Sequence, residues 1–312
     1  MQDFKRFIIS SITVVIIVVI VDLSFGRILQ GVRDGVLSRY PFSNTLKVDY
    51  LVNKNESDIL IIGPSTASHH YNARALSDSL NMTVFNGGID GTYIVFETSL
   101  IHLILDRYSP KVIIWELYED ALSNNLSEKS EYQYVSLLYP YYDKNNYCKA
   151  LIDKHQIINK IKLNSTLYRY NSRLSDYIYP FLRNNEFDLG YVPIEPVNTY
   201  QPVFLSSKAD DNIAEWKVEL FKETLDYCKS KGVILIFSSS PRYLDGDIKT
   251  TMQYRKYREI VEQYGYAFID SYNDEPFAST PALFKDNNHM NSNGVTIFME
   301  QFIPKLKRIL FD

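Results

Sequence analysis

The segment that decides the fold is residues 58–65, Asp-Ile-Leu-Ile-Ile-Gly-Pro-Ser. Its four consecutive apolar residues, 59–62, predict a short strand buried on both faces, as in a parallel sheet. Gly63 and Pro64 end that strand, so Ser65 is expected to lie exposed where the strand turns into a helix. A serine at this point is a candidate nucleophile, although serine is also favoured as a helix-capping residue.

Further apolar runs along the chain have the same character. Together with the first they predict five strands, at 58–62, 83–85, 111–117, 233–237 and 266–269. Apolar spacing and capping residues predict helices at about 66–80, 93–108, 206–231 and 250–264, and from 292 to the C-terminus. Strands that alternate with helices predict an α/β fold with a mainly parallel sheet covered on both faces. Right-handed crossovers place the carboxyl ends of such strands at one edge, where these sheets hold ligands.

A stretch from about 119 to 205 interrupts the alternation and contains 12 of the 25 tyrosines. No clean period holds there and the alternation resumes afterwards, so we interpret 119–205 as a cap inserted into a domain that spans 58–312. Tyrosine rings stack on sugar faces while their hydroxyls form hydrogen bonds, but they also pack irregular inserts that have wet edges. The sequence leaves both interpretations open.

The N-terminus carries an uncharged, almost wholly apolar segment, residues 7–21, between two basic residues and Asp22. It is short for a membrane span of about 17–25 residues, but the residues after Asp22 can extend it. We therefore interpret 1–26 as a membrane anchor and 27–57 as a juxtamembrane lead-in. The basic flank predicts a cytoplasmic N-terminus and a domain outside the cytoplasm. A cleaved signal peptide is the alternative, although no small-x-small cleavage site follows the apolar run.

Bulk composition argues against several classes of protein. A hydrophobic content of 46% with 22% charged residues is ordinary for a globular domain and argues against disorder. A net charge of −4 without a long basic run argues against a nucleic-acid partner. Cys148 and Cys228 fit neither a zinc motif nor a disulfide framework. We interpret them as small buried hydrophobic residues, and their separation in sequence leaves pairing open.

A second short segment near the C-terminus, Asp286-Asn287-Asn288-His289, places a carboxylate and an imidazole three residues apart on one predicted loop. With Ser65, it supplies a nucleophile, a general base and a group that orients the base. These are the minimum set for acyl transfer through a covalent serine ester. A surface histidine and an aspartate that caps a helical turn are the plainer alternatives.

These segments and two others occur in an order that carries a family resemblance. They are Gly63-Pro64-Ser65, the residues from Asn86 to Gly91, the turn after the third predicted strand, and the residues from Asp286 to His289. Each is weak alone, but in this order they resemble the SGNH (GDSL-type) hydrolase superfamily from about residue 58 to the C-terminus, with 119–205 outside the match. The resemblance implies a flavodoxin-like three-layer α/β/α fold and a serine esterase or acyltransferase.

The resemblance also implies a role for each residue of the motifs. Ser65 corresponds to the nucleophile, His289 to its general base and Asp286 to the residue that orients the imidazole. The oxyanion hole would use the backbone N–H groups of Ser65 and of a glycine in the second segment. Gly91 matches that glycine best, and Gly88 is a second candidate. Glycine at this point lets the backbone approach the oxyanion closely.

This chain departs from the superfamily pattern at two places. Pro64 stands where the family signature has aspartate, which removes a backbone donor at the turn. The third family segment ends in Gly-x-Asn-Asp, whose asparagine completes the oxyanion hole, whereas residues 116–120 here read Glu-Leu-Tyr-Glu-Asp. An ionised carboxylate cannot donate a hydrogen bond. Either another group takes that role, such as Asn86 or a cap residue, or the hole is weaker.

An N-terminal anchor together with an altered third segment resembles a subset of the superfamily. This subset comprises the envelope-polymer modifiers of teichoic-acid D-alanylation and of alginate and cellulose O-acetylation. That resemblance implies acyl esters, above all acetyl esters, of an envelope glycan or polymer as substrates. It also implies a membrane-bound O-acyltransferase as a partner. The alternative is a catalytically inactive binding or assembly component that kept the fold.

Other polar residues near the motifs are weaker candidates. His69, four residues after Ser65, and Asp120 are candidate substrate-binding residues, although a polar residue on a first helical turn is the plainer interpretation of His69. No metal site is expected, because His69, His70 and Asp90 lack the spacing of a known ligand set. Nothing in the sequence indicates a cofactor.

Overall fold

A computed structural model of the protein describes residues 2–37, 43–118, 120–124, 132, 134–155, 160–170, 173–178, 189–196, 212–243 and 251–312. The strands in these ranges are β1 Ile59–Ile62, β2 Val84–Asn86, β3 Val112–Glu116, β4 Ile234–Ser239 and β5 Ala267–Asp270. The helices are α1 Gln2–Val36, α2 Asn44–Asn53, α3 Ser65–His70, α4 Ala73–Leu80, α5 Ile94–Leu105, α6 Asn146–His155, α7 Thr166–Tyr170, α8 Leu174–Ile178, α9 Glu215–Ser230, α10 Met252–Gln263 and α11 Ser292–Phe311. Short 3₁₀ helices cover Val135–Tyr141, Lys162–Asn164 and Pro281–Leu283.

The five strands form one parallel sheet in the order β2-β1-β3-β4-β5. In the register of this sheet, Leu60 of β1 lies between Phe85 of β2 and Ile113 of β3. The predicted α/β class and parallel sheet are confirmed, and the order is that of flavodoxin-like folds. The chain moves outward in opposite directions from β1, so a crevice opens at the carboxyl ends of β1 and β3.

Alternate side chains of each strand enter two separate hydrophobic cores. Leu60 and Ile62 pack with α2, α5, α9 and α10, whereas Ile59 and Ile61 pack with α3, α4 and α11. Because both faces are covered, every residue of β1 is buried, which explains its unbroken apolar run. The result is the three-layer α/β/α architecture.

Two predicted helices differ from the observed ones. The helix expected at 66–80 is two helices, α3 and α4, and the side chain of Asn72 between them caps α4 by accepting the Ala75 N–H at 3.0 Å. The helix expected from 206 begins at Glu215, and residues 206 and 207 lie outside the described ranges. Its buried face includes Phe221. The apolar spacing predicts Ile213, Trp216, Leu220 and Leu225 on the inner face of this helix. Leu225 is fully buried, whereas the other three are only half-buried.

The described part of the 119–205 stretch packs on α1, α2 and α5. Its tyrosines Tyr141 and Tyr177 are fully buried, and both donate their hydroxyls to the buried carboxylate of Asp49. For these residues the packing interpretation of the tyrosine-rich segment holds. Cys148, also in this stretch, and Cys228 are both buried and unpaired.

Helix α1 differs from the other elements because most of its residues are exposed. In the part of the chain that the structure describes, it is the one helix long and apolar enough to cross a membrane. Its most apolar 18-residue window has a mean hydropathy of 2.7 and is entirely unburied. Helix α1 therefore fits a single-pass membrane anchor.

Candidate active site

The structure brings Ser65, His289 and Asp286 together at the carboxyl edge of the sheet. The Nε2 atom of His289 lies 2.7 Å from the Oγ atom of Ser65. On the other side of the ring, Nδ1 lies 2.9 Å from each carboxylate oxygen of Asp286. Ser65 is half-buried, and the His289 side chain is 22% exposed. A hydroxyl, an imidazole and a carboxylate in this chain of contacts can transfer a proton from the hydroxyl to the ring.

Ser65 owes its position to the turn between β1 and α3. Gly63 has φ +150°, and a Cβ atom there would lie 2.8 Å from the carbonyl oxygen of Glu116. Only glycine lets the β1 end pass so close to the β3 end. Ser65 is the first residue of α3, and the residue before it, Pro64, makes no side-chain capping hydrogen bond to the helix. The first N–H groups of a helix have no partner within that helix, so they are available to other acceptors.

Asp286 is held as a carboxylate by its own loop. Its Oδ1 atom accepts the backbone N–H groups of Asn288 and His289, each at 2.9 Å. Partial burial raises the pKa of Asp286, but the bonds from the His289 ring and from these N–H groups outweigh it and leave the pKa below 3.8. The loop is tied to the segment that follows β4, because Asn287 exchanges hydrogen bonds of 2.8 and 2.9 Å with the backbone of Tyr243.

His70 fixes the residue that follows His289. Its Nε2 atom accepts the backbone N–H of Met290 at 2.9 Å. The proton of this neutral ring therefore lies on Nδ1, which donates to the Oγ atom of Ser240 at 2.7 Å. Burial lowers the pKa of His70 well below 6.5, which keeps the ring neutral. The sequence singled out His70 only as a failed metal ligand, because its partner Met290 is 220 residues away.

Glu116 extends this chain of buried hydrogen bonds, and we call His70, Ser240 and Glu116 the buried relay. The Oγ atom of Ser240 donates to the Glu116 carboxylate at 2.5 Å, the Ser240 N–H donates to it at 3.1 Å, and the Tyr71 hydroxyl also donates to it. Glu116 is fully buried. Burial raises its pKa, which the nearby Arg242 charge partly opposes. Glu116, in the altered third segment, is therefore connected to the loop of His289 through Ser240 and His70.

Two predicted oxyanion donors are engaged elsewhere. The amide nitrogen of Asn86 donates to the carbonyl oxygens of Ala67 and Tyr71 at 2.7 and 2.8 Å. Its amide oxygen accepts the N–H of Gly88 at 2.9 Å. Asn86 and Gly88 thus pin the second segment onto α3 and offer no hydrogen to an oxyanion in this structure. The N–H groups of Ser65 and Gly91 stay the predicted donors.

Gly91 permits a close contact with the cap. Its φ is +71°, and a Cβ atom there would lie 2.5 Å from the ring of Tyr134. Among the described residues, its N–H has no hydrogen-bond partner. Asp120, a candidate substrate-binding residue, lies in the turn after β3 near Tyr118. Glu119 is outside the described residues. The ring of Tyr118 carries the Arg242 guanidinium 4.6 Å above it.

Residues 189–196, which we call the crossing segment, contact the second motif and the helices that follow Ser65 and His289. The Leu189 carbonyl accepts the Asn86 N–H at 2.7 Å, and the Ile194 carbonyl accepts the N–H of Ser292 at 2.8 Å. The Nδ1 atom of His69 lies 2.7 Å from the carbonyl of Val192 in this segment. The sequence offered no signal for these contacts, because the segment lies in the stretch without periodicity.

His69 lies beside His289. Its Nε2 atom lies 3.3 Å from Asp90, and its ring meets the His289 ring edge-on with 5.5 Å between centroids. His69 therefore borders the Ser65–His289 pair. Among the described residues, no group of three or more His, Cys, Asp or Glu side chains could hold a metal ion.

Lys47 of α2 ties the second segment to the crossing segment. Its ammonium donates to the carbonyls of Gly88 and Gly190 at 2.7 and 2.9 Å and to the Ser68 hydroxyl at 3.3 Å. Burial lowers its pKa to about 7, against the attraction of Asp90. In sequence, Lys47 is indistinguishable from a surface lysine.

A largely apolar cavity of about 410 Å³ lies between α4, α11 and the crossing segment. Tyr191, Pro193 and Ser292 are among its lining residues. Ser292 follows His289 by three positions, so the cavity begins beside the histidine loop.

Comparison with known proteins leaves the assignment to the geometry of the site. No protein-family model matches this chain. A search of the curated proteins also returned no match.

Proposed function

We propose that this protein is a serine esterase or O-acyltransferase of the SGNH type. The observation that carries the proposal is the continuous chain of contacts from Ser65 through His289 to Asp286, at 2.7 and 2.9 Å. Residues so far apart in sequence meet at the sheet edge where parallel α/β folds hold ligands. Their order along the chain is also the order of the SGNH motifs.

The reaction follows from the direction in which a proton can move along the contacts from Ser65 to His289. Asp286 keeps the proton of the neutral ring on Nδ1, so Nε2 of His289 accepts the proton of Ser65 as its Oγ atom attacks an ester carbonyl. The tetrahedral intermediate collapses when His289 returns the proton to the leaving alcohol, which gives an acyl-serine. A water molecule then resolves the ester in an esterase, or a sugar hydroxyl does so in a transferase.

The oxyanion is stabilised in this proposal by the N–H groups of Ser65 and Gly91. A single oxyanion donor is typically worth about 2.7–4 kcal/mol of transition-state stabilisation. The asparagine that completes the hole in the family has no counterpart in residues 116–120, which read Glu-Leu-Tyr-Glu-Asp. The carboxylate of Glu116 accepts hydrogen bonds in the buried relay. We therefore infer a slower reaction of the same type.

The location follows from α1 and its flanks. Lys5 and Arg6 precede the apolar run, so we infer a cytoplasmic N-terminus and a catalytic domain outside the cytoplasm. Substrates at that location are acyl esters, above all acetyl esters, of an envelope glycan or polymer. A membrane-bound O-acyltransferase that delivers the acyl group would be the partner for a transferase.

A second candidate function is a catalytically inactive binding or assembly component. The observation in its favour is the segment 116–120, which lacks the asparagine donor of the family and whose buried Glu116 accepts hydrogen bonds. Against it stands the Ser65–His289–Asp286 geometry, which a protein without chemistry has no need to keep.

The two candidates differ in the hydrolysis of p-nitrophenyl acetate by the purified full-length chain in detergent. We expect hydrolysis by the wild type and its loss in Ser65→Ala. The matched control is Ser230→Ala, at the exposed C-terminal end of α9, which should keep the wild-type rate. A wild-type rate equal to that of Ser65→Ala would support the inactive component.

A further inference from the structure

The outer part of α1 is joined to the cap through Asp22, the residue that ends the apolar run. Its carboxylate accepts the backbone N–H groups of Thr166 and Leu167 at 2.8 and 3.0 Å and the hydroxyl of Ser165. These bonds satisfy the first N–H groups of α7 from a different helix. The apolar run is therefore followed at once by a fixed contact with the folded domain.

The contact continues along the following turns of α1. A Cβ atom at Gly26 would lie 2.2 Å from the Thr166 side chain, so α1 and α7 touch at a point where only glycine fits. Leu29 and Val36 are buried with the cap tyrosines, and Arg33 donates to the Tyr170 hydroxyl at 3.2 Å. The anchor and the domain are thus joined rigidly, and cleavage near Gly26 would cut through this joint.

The length of the apolar run decides how deep the joint lies. Residues 7–21 span about 22 Å as a helix at 1.5 Å per residue. The hydrocarbon core of a bilayer is about 30 Å thick and needs about 20 residues. The run is about five residues short, so the turns that follow it, from Asp22 to Gly26, are drawn to the edge of the hydrocarbon core. These are the turns that the cap covers. The cap segment beside them is therefore drawn to the level of the lipid headgroups.

We propose that residues 160–167, which we call the seat, contact the membrane interface and hold the domain at a fixed orientation on the bilayer. This inference rests on the membrane anchoring proposed above and is independent of catalysis. Ile161 is 84% exposed, and it is followed by the 3₁₀ helix Lys162–Asn164 and then by Ser165. Ile161 is four positions before Ser165, so their Cα atoms are at most about 14 Å apart. The seat therefore lies beside the point where α1 leaves the membrane.

The composition of the seat suits a lipid surface. Lys160 and Lys162 are exposed on either side of Ile161. Their ammonium groups can meet lipid phosphates while the isoleucine enters the boundary of the acyl chains. An isoleucine so exposed is unfavourable in water, but it is favourable in that boundary.

Fluorescent labelling of the full-length chain in lipid vesicles tests the seat. Ile161→Cys would carry an NBD label, and the vesicles would contain phosphatidylcholine and phosphatidylglycerol with doxyl-labelled lipid as quencher. Ile234→Cys is the matched control, because Ile234 is a 54% exposed isoleucine at the amino end of β4. Val15→Cys, within the apolar run, reports insertion of α1. Cys148 and Cys228 are buried, and the unsubstituted chain gives the background.

We expect blue-shifted emission and quenching at Val15 and Ile161, and neither at Ile234. Quenching at Val15 but not at Ile161 would overturn the seat and leave the anchor standing. A label at Val15 that escapes quenching would overturn the anchoring on which the seat rests. Ser65→Ala should give the wild-type pattern, so a failed esterase assay cannot account for either negative result.

Discussion

Replacing His70 by phenylalanine tests whether the buried relay positions His289, the proposed general base. The substitution keeps a ring of similar size but removes the acceptor of the Met290 N–H, a bond of 2.9 Å in a fully buried place. An unsatisfied buried N–H costs about 1–3 kcal/mol. If the loop relaxes to solvate that group, His289 moves with it. The same energy in the barrier is a factor of about 5 to 160 in rate.

The assay is the second-order rate constant for labelling by a fluorophosphonate, measured beside the Tm. The control is His102→Phe. His102 is also buried, but it stacks between Tyr147 and Tyr227 on the opposite face of the sheet. We expect both variants to lose stability and only His70→Phe to lose labelling rate. Labelling of folded His70→Phe at the wild-type rate would refute the positioning role.

Three further outcomes are expected. Gly63→Ala should lower the Tm and the labelling rate together, because φ +150° and a 2.8 Å approach to the Glu116 carbonyl exclude a Cβ atom; an unchanged Tm would show that the turn relaxes freely. Gly190→Ala would place a Cβ atom 1.9 Å from the Asn86 carbonyl oxygen. The backbone N–H of Asn86, which donates to Leu189, should therefore exchange hydrogen faster, and exchange at the wild-type rate would contradict the contact. Because burial lowers the pKa of His70 well below 6.5, the unfolded chain binds a proton below that pH that the folded protein does not. The free energy of unfolding should therefore fall as the pH drops from 6.5, and His70→Phe should make that slope shallower by about 1.4 kcal/mol per pH unit. Equal slopes in the two proteins would contradict a buried neutral histidine.

The parts of the site that were predictable are those encoded locally. The apolar run before Gly63 predicts a doubly buried strand, and a parallel sheet places whatever follows such strands at one edge. Asp286 and His289 are three residues apart, so their contact needs only a tight loop. The topology of the parallel sheet then brings this loop to Ser65, so no knowledge of contacts between individual residues is needed.

The parts that were not predictable depend on contacts between distant segments. His70 and Glu116 are polar residues in otherwise ordinary elements, and their roles appear only when Met290 and Ser240 lie beside them. Lys47 has no local pattern that separates it from an exposed lysine. Burial decides the function of all three, and burial is a property of the assembled layers.

The central claim is tested most directly by the position of the covalent adduct that a fluorophosphonate forms on the full-length protein. Peptide mapping by mass spectrometry should place one adduct on Ser65 in the wild type. The adduct should be lost in Ser65→Ala and formed far more slowly in His289→Ala, whose ring no longer accepts the serine proton. Equal labelling of the wild type and Ser65→Ala, or an adduct at another residue, would contradict the account.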